Sequence, residues 1–320
     1  MHRRGFLAAL CVAPLAARAA DARLYRIGVV YRGGPYAAAI DGLRDGLKDL
    51  GFAEGKQFVF HVRAVSSDLK GVEAATRALE MERVDVIYSV GTTTTLAVKR
   101  AAHNVPIVFY AGADPVALGL IANYRQPGGR LTGIYSRFSD LTAKRLELLK
   151  ALIPKLSRAI TFYNPDNPVA MRSITMAREA GRRLNVELIE RKVASVEELR
   201  RALDAMRPGE ADALFYAADG MVISQADMVI AAANAIKLPI MLSEQTSVAK
   251  GALASYAVSY YACGRLAAKD VQRIVQGANP GELPIEQIDT PYFVVNLKSA
   301  AALGLAIPQS VLARADEIIR

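Results

Sequence analysis

The side chains whose types suit ligand or reaction chemistry sit in short polar segments that follow apolar runs. These are Arg32-Gly33-Gly34-Pro35-Tyr36, Gly91-Thr92-Thr93, Gly112-Ala113-Asp114-Pro115, Asn164-Pro165-Asp166-Asn167, Ala217-Ala218-Asp219-Gly220 and Ser243-Glu244-Gln245. Gly91 lets a backbone approach closely, and the N–H and hydroxyl groups of Thr92 and Thr93 at a helix start suit a carboxylate or another anion. The same pattern also reads as a plain threonine cap. Asp114 before Pro115 reads either as a turn residue or as an acceptor for a ligand ammonium. Asn164, Asn167 and Asp219 read as caps of the next helix or as ligand contacts from the opposite side. Tyr31, Tyr36, Tyr163, Tyr216 and Tyr256 fall at or near run ends, where a ring stacks on a ligand or packs beneath a loop.

Catalysis finds little to work with. Beyond residue 19 the histidines are His61 and His103, far apart and without metal-ligand spacing, so neither a metal nor a cofactor is expected. No phosphate-cradling G-x-x-x-x-G-K-[ST] run, no G-x-G-x-x-G after a strand and no G-x-S-x-G elbow occurs. A carboxylate pair, Asp114 facing Asp219, is the one catalytic arrangement left, and the expectation is a protein that binds without catalysing.

The elements that must position these residues follow from periodicity. Apolar runs of strand length, Arg26 to Tyr31, Gln57 to Val65, Asp85 to Val90 and Ile107 to Ala111, alternate with amphipathic stretches Ala37 to Leu50, Asp68 to Glu82 and Thr93 to Ala102. A second series repeats the order: strands Ala159 to Tyr163, Val186 to Val193, Asp212 to Tyr216 and Pro239 to Leu242, helices Asn167 to Leu184, Val196 to Met206 and Ser224 to Ala235. Arg26 to Tyr31 lies over Arg158 to Tyr163, and Val105-Pro106-Ile107 over Leu238-Pro239-Ile240. The class is α/β, with two doubly wound parallel-sheet lobes and an interdomain cleft beyond the carboxyl ends of the strands.

The chain has 320 residues, 52% of them hydrophobic and 22% charged. That composition suits a globular protein of two domains. Residues 1–19 read as an export signal: Arg3 and Arg4, an apolar run from Phe6 to Leu15, and Ala17-Arg18-Ala19 as a cleavage site near Ala19. Arg3-Arg4-Gly5-Phe6-Leu7 is also twin-arginine-like, which leaves two export routes open. Cleavage removes Arg3, Arg4 and Arg18 and no acid, lowering the formal charge from +9 to about +6. It also removes Cys11 and leaves Cys263 without an intramolecular disulfide partner. Lys144, Arg145 and Glu147, like Glu197, Glu198, Arg200 and Arg201, read as solvated helical faces, so no nucleic acid is expected.

Several segments together resemble the ABC transporter substrate-binding proteins that include the tryptophan-binding TrpX-like receptors. They are Gly51 to Lys56, Val84 to Ile87, Val90-Gly91-Thr92, Val105 to Phe109, Asp114-Pro115-Val116, Pro127 to Gly133, Lys250 to Tyr256, Gly264 to Ala268 and Asn296 to Pro308. Arg130 and Leu131 depart from the family's Pro-Gly-Gly-Asn-Val-Thr-Gly, and Ala218-Asp219-Gly220 stands where the family often has Thr-Asp-Asn. The resemblance implies a type I periplasmic-binding fold, with a helix near Tyr260 to Gln276 returning to the first lobe. It implies an N-terminal lobe of 24–136 plus about 258–290 and a C-terminal lobe of 137–257 plus about 291–320. It further implies a periplasmic monomer that binds an amino acid or an aromatic or branched carboxylate and delivers it to an ABC permease in the inner membrane. A ligand-sensing receptor for a membrane kinase or chemoreceptor is the alternative. The expected ligand residues are Tyr36, Gly91, Thr92, Thr93, Asp114, Asn164, Asn167, Asp219 and Tyr256.

Overall fold

A computed structural model describes residues 23–66 and 68–320; the segment read as an export signal, with its twin-arginine pair and Cys11, lies outside the described residues. The chain runs through β1 (Tyr25–Tyr31), α1 (Ala37–Asp49), β2 (Phe58–Ala64), α2 (Leu69–Met81), β3 (Val86–Val90), α3 (Thr92–Ala101), β4 (Ile107–Ala111) and β5 (Leu131–Tyr135). Then follow α4 (Thr142–Leu152), β6 (Arg158–Tyr163), α5 (Pro168–Leu184), β7 (Glu187–Lys192), α6 (Val196–Asp204), β8 (Ala213–Phe215), α7 (Gly220–Ser224) and α8 (Ala226–Ala235). The last part holds β9 (Ile240–Leu242), α9 (Thr246–Ala249), β10 (Ala254–Ala257), α10 (Tyr260–Val275), β11 (Glu286–Gln287), β12 (Tyr292–Asn296), α11 (Leu297–Ala302), α12 (Gln309–Leu312) and β13 (Glu317–Ile319).

Two sheets result, in the orders β2-β1-β3-β4-β5-β11 and β7-β6-β8-β9-β10-β12-β13. The first five strands of each share one winding, which is the internal repeat in three dimensions. Every pairing of these strands is parallel except β10 with β12. Helices cover both faces of such sheets. Strands β3 and β4 are accordingly buried along their whole length, whereas β2 and β7 at the edges are half exposed.

Side-chain caps fix where half of the described α-helices begin. Asp68 accepts from Gly71 N–H, Ser195 from Glu198 N–H, and Ser259 from Ala262 N–H. At the other end of α3, Arg130 donates from Nη2 to the carbonyls of Lys99 and Ala102, 2.8 and 2.6 Å away. This departure from the family pattern thus closes a helix C-terminus. The amphipathic stretch read as one helix from Ser224 to Ala235 is broken at Gln225 into α7 and α8.

One long-range packing ties the ends of the fold together. Helices α1 and α10 lie side by side in the same direction, and glycine brings their backbones close. A Cβ on Gly42 would collide with the Tyr261 carbonyl, and one on Gly264 with the Ala39 carbonyl. Tyr261 donates to Asp45 across the outer edge of the pair, and Gln272 donates to the Leu50 carbonyl at its far end.

Arg145 is not on a solvated face, as its charge suggests. It is fully buried, on a face of α4 shared with Thr142, Leu148, Leu149 and Leu152. Its spacing from them follows the helical repeat, so its aliphatic neighbours carry it into the interior.

The close approach of α1 and α10 sets an expectation for stability. Gly264→Ala should lower the unfolding free energy by about 2 kcal/mol or more, read from a urea titration, because the helices cannot separate without repacking the interface. A second expectation concerns Asp270 on α10, which is buried, with no hydrogen-bond partner for Oδ2 among the described residues. Burial raises its carboxyl to about 6, against the fields of Lys269 and Arg273. A raised carboxyl binds its proton more tightly when folded, so the stability it contributes is complete below about pH 4 and falls as pH rises toward about 6. Asp270→Asn is expected to abolish that slope and to stabilise the protein at pH 7 by on the order of 2 to 3 kcal/mol in pH-resolved denaturation.

Candidate ligand-binding site

In each sheet the strand order reverses between the first strand and the third. A crevice opens at such a switch point. The loops after β1 and β3 in one lobe, and after β6 and β8 in the other, therefore converge. The first carries Tyr36, set by a tight turn through Gly34 at the head of α1. The second turns at Gly91, whose φ is 103°, and passes directly into α3 at Thr92. That backbone conformation is costly for a residue with a Cβ. The third and fourth bring Asn167 and Gly220.

These loops enclose a small cavity of about 40 Å³. Tyr36, Thr92, Thr93 and Tyr110 face it from the first lobe; Asn167, Val169, Tyr216 and Gly220 face it from the second; Phe138 and Tyr260 stand between. The rings of Tyr36 and Tyr260 lie 4.8 Å apart, and those of Tyr110 and Tyr260 5.7 Å apart. The lobes touch across the cavity. A Cβ on Gly34 would come within 2.6 Å of the Ser224 carbonyl, and one on Gly220 within 3.4 Å of the Tyr36 hydroxyl.

The hydroxyls remain protonated donors. Burial, and next the charge of Asp219, push the Tyr36 phenol up to about 12 against its hydrogen bond with Tyr260 and the field of Arg32. Burial likewise raises Tyr110, Tyr216 and Tyr260 well above the ordinary phenol.

Asp219 is wholly buried and fully bonded. Oδ1 accepts from the N–H groups of Met221 and Val222, capping α7, and Oδ2 from Asn164 N–H and Asn167 Nδ2, at 2.8 to 3.1 Å. Asn167 itself caps α5 through Val169 N–H, and Asn164 accepts from Asp166 N–H. Tyr216 closes the network, its hydroxyl donating to the Asp219 carbonyl and accepting from Asp219 N–H. Thr92 Oγ1 accepts from Gly112 N–H at 2.9 Å. Of the candidates read from sequence, Tyr36, Gly91, Thr92, Thr93 and Asn167 line this cavity. Asn164 and Asp219 border an adjoining interlobe groove of about 830 Å³ that also includes Arg32.

Asp114 lines an adjoining cavity of about 220 Å³, beside Arg137, Asp140 and Arg172, which shares Gly112 and Val169 with the first. Its Oδ1 accepts from the N–H groups of Val116 and Ala117, as a turn residue does. Burial pushes its carboxyl up, but the Tyr124 hydroxyl, those two N–H groups and Arg137 outweigh that and hold it below the usual range. Tyr256 is outside too, packed edge-on against Phe293 in the second sheet.

Sequence reasoning did not single out Tyr110, Phe138 or Tyr260 as ligand residues. Tyr110 reads as one more residue of a buried strand, and Tyr260 heads a helix that only tertiary packing brings to the cavity. Arg145 lies behind the wall. Its guanidinium is 5.1 Å from the Phe138 ring centre and 6.0 Å from that of Tyr216, with Nε donating to the Tyr256 carbonyl. Both distances are those of a cation attracted to an aromatic ring. Burial lowers the guanidinium to about 10, partly offset by Tyr216, Tyr260 and Tyr256.

Residues 27–319 match the family described as ABC transporter substrate binding protein. The chain belongs to that family. It is 26% identical over 259 residues to a tyrosine-binding protein of Clostridioides difficile strain R20291, covering 81% of this chain and 74% of that one. Among solved structures it resembles a conserved domain protein of Vibrio cholerae, with a TM-score of 0.82, 29% identity, and 92% and 100% of the two chains covered. It also resembles an ABC domain of Streptococcus pneumoniae in complex with L-Trp, with a TM-score of 0.80, 23% identity, and 93% and 100% covered. The two-lobed periplasmic-binding fold is thus common to this substrate-binding protein and its relatives. No described helix is long and apolar enough to cross a membrane.

In the substrate-binding protein Asp219→Ala would leave four donors without their acceptor. It is expected to cost about 2 to 4 kcal/mol of stability in urea titration. Asp114→Ala removes a single turn cap and should cost about 1 kcal/mol.

Proposed function

We propose that this substrate-binding protein is the exported, periplasmic receptor of an ABC importer, and that it closes around a small aromatic or branched solute bearing a carboxylate. The observation that carries the reading is the tyrosine-walled cavity to which both lobes contribute. Relatives that bind tyrosine or hold L-Trp support an aromatic amino acid or a related acid as the ligand class.

Tyr36 and Tyr260 provide the aromatic surface that receives the solute's side chain. Gly91, Thr92 and Thr93 present backbone N–H and hydroxyl groups at the start of α3 to its carboxylate. Asn167 closes from the second lobe, while Asp219 and Asn164 hold the loops that carry it. The two lobes correspond to 24–136 plus about 258–290 and 137–257 plus about 291–320. A hinge between them opens the cavity, and the bound solute contributes the contacts that favour the closed form. A permease in the inner membrane then takes the solute from the closed receptor. No step in this sequence requires a catalytic group.

Thermal unfolding of the mature chain tests the proposal. A solute at about one hundred times its Kd adds about 2.7 kcal/mol, a rise in Tm of roughly 5 °C or more for a chain of this size. L-Tyrosine, L-tryptophan, L-phenylalanine and their acids form the panel. Tyr260→Ala is expected to weaken binding of whichever solute shifts Tm by about tenfold or more in calorimetry, since it removes a buried ring from the wall. An unchanged affinity would take Tyr260 out of the site.

A further inference from the structure

We infer that the solute is an aromatic monocarboxylate lacking an α-ammonium group, and that Arg145 supplies the counter-charge for its carboxylate. This rests on the tyrosine-walled cavity being the ligand site and narrows the class of ligand that the site takes.

Two independent features point the same way. The first is a buried cation with no anion to answer it. Arg145 is fully buried and forms no ion pair with a carboxylate among the described residues. Its Nε and Nη1 reach the carbonyls of Tyr256 and Tyr216, the latter at 3.5 Å, and Nη2 is buried with no hydrogen-bond partner among the described residues. The charge lies directly behind Phe138 and Tyr216, both of which form the cavity wall. An unanswered charge in the interior is costly, and an anion placed just across those rings relieves that cost.

The second is the lack of a free acceptor for an ammonium. None of the described residues lining the cavity carries a carboxylate. Asp219 is the acid beside it, and each of its oxygens already accepts two N–H groups. Its charge is further met by the field of Arg32. Asp114, in the adjoining cavity, is engaged by two backbone N–H groups and the Tyr124 hydroxyl. The carboxylate of Glu244 is engaged by Thr246 and Ser247. A zwitterion would bring an ammonium that gains no carboxylate here, and it would place that positive group in the field of Arg145. A simple acid brings only the charge for which the site is prepared. Donors suit the acid as well: the Thr92 and Thr93 N–H groups at the first turn of α3, and the phenols of Tyr36 and Tyr260.

Arg145 acts through the rings and not by touching the solute, so it is a positioning residue whose effect is electrostatic. The test is calorimetry on the mature chain with hydrocinnamate, hydrocinnamamide, L-phenylalanine and phenethylamine, which share one aromatic ring and differ in charge. The wild-type protein is expected to bind hydrocinnamate about tenfold or more tightly than any of the other three. In Arg145→Met the preference for the acid over its amide should collapse to about twofold, while Arg145→Lys retains most of it. A merely structural arginine would weaken acid and amide alike, and that result overturns the proposal. Should Arg145→Met fail to fold, the wild-type ranking decides alone. L-Phenylalanine equal to or tighter than hydrocinnamate overturns the inference but leaves the receptor reading intact. Binding of none of the four overturns the inference, and the receptor reading then stands or falls on the thermal panel.

Discussion

Helices α1 and α10 meet along glycines, and the tyrosine-walled cavity depends on that meeting. The two are separated in sequence by the whole of the second sheet's β6 to β10, and Gly42, Gly46 and Gly264 let their backbones approach until side chains interlock. Each helix begins with a tyrosine at the cavity: Tyr36 caps α1 and Tyr260 opens α10. Because the helices run in the same direction, fixing their shared face also sets one ring against the other at 4.8 Å. The chain must therefore return from the second lobe before the wall of the cavity is complete.

The second lobe answers with polar rigidity. Asp219, Asn167, Asn164 and the Tyr216 hydroxyl form a network in which each group finds a partner. A satisfied buried network holds its loops in one arrangement. Thr142 and Ser173 extend it outward through their hydroxyls, and Ser173 also receives the Ala218 N–H. The result is a preset surface against which Tyr36 and Thr93 can close, with Gly220 leaving room for both. Arg145, behind Phe138 and Tyr216, keeps Nη2 without a hydrogen-bond partner among the described residues.

Much of this was legible in one dimension. The alternation of strands and helices, the duplication, and the cap at Asn167 are encoded by neighbours within a few residues, where periodicity and short side-chain oxygens act. Asp219 shows the limit of that reading. As a cap of α7 it follows from its position before Gly220, but its second pair of bonds, to Asn164 and Asn167, links segments far apart in the chain and has no local signature. Arg145 was legible in principle, since Thr142, Leu148, Leu149 and Leu152 share its helical face, yet charge alone argued for the surface.

Local pattern and chain order are enough to specify a doubly wound sheet, so the class of fold, the order of its elements and the loops that hold a ligand site can all be read along the chain. Which of those loops meet is a matter of packing. The switch points bring together the segments after β1, β3, β6 and β8, keep Asp114 after β4 outside, and admit Tyr110, Phe138 and Tyr260 from places no local pattern marks. Membership of a cavity is set by contacts between residues remote in sequence, and those contacts exist only once both sheets are folded and packed.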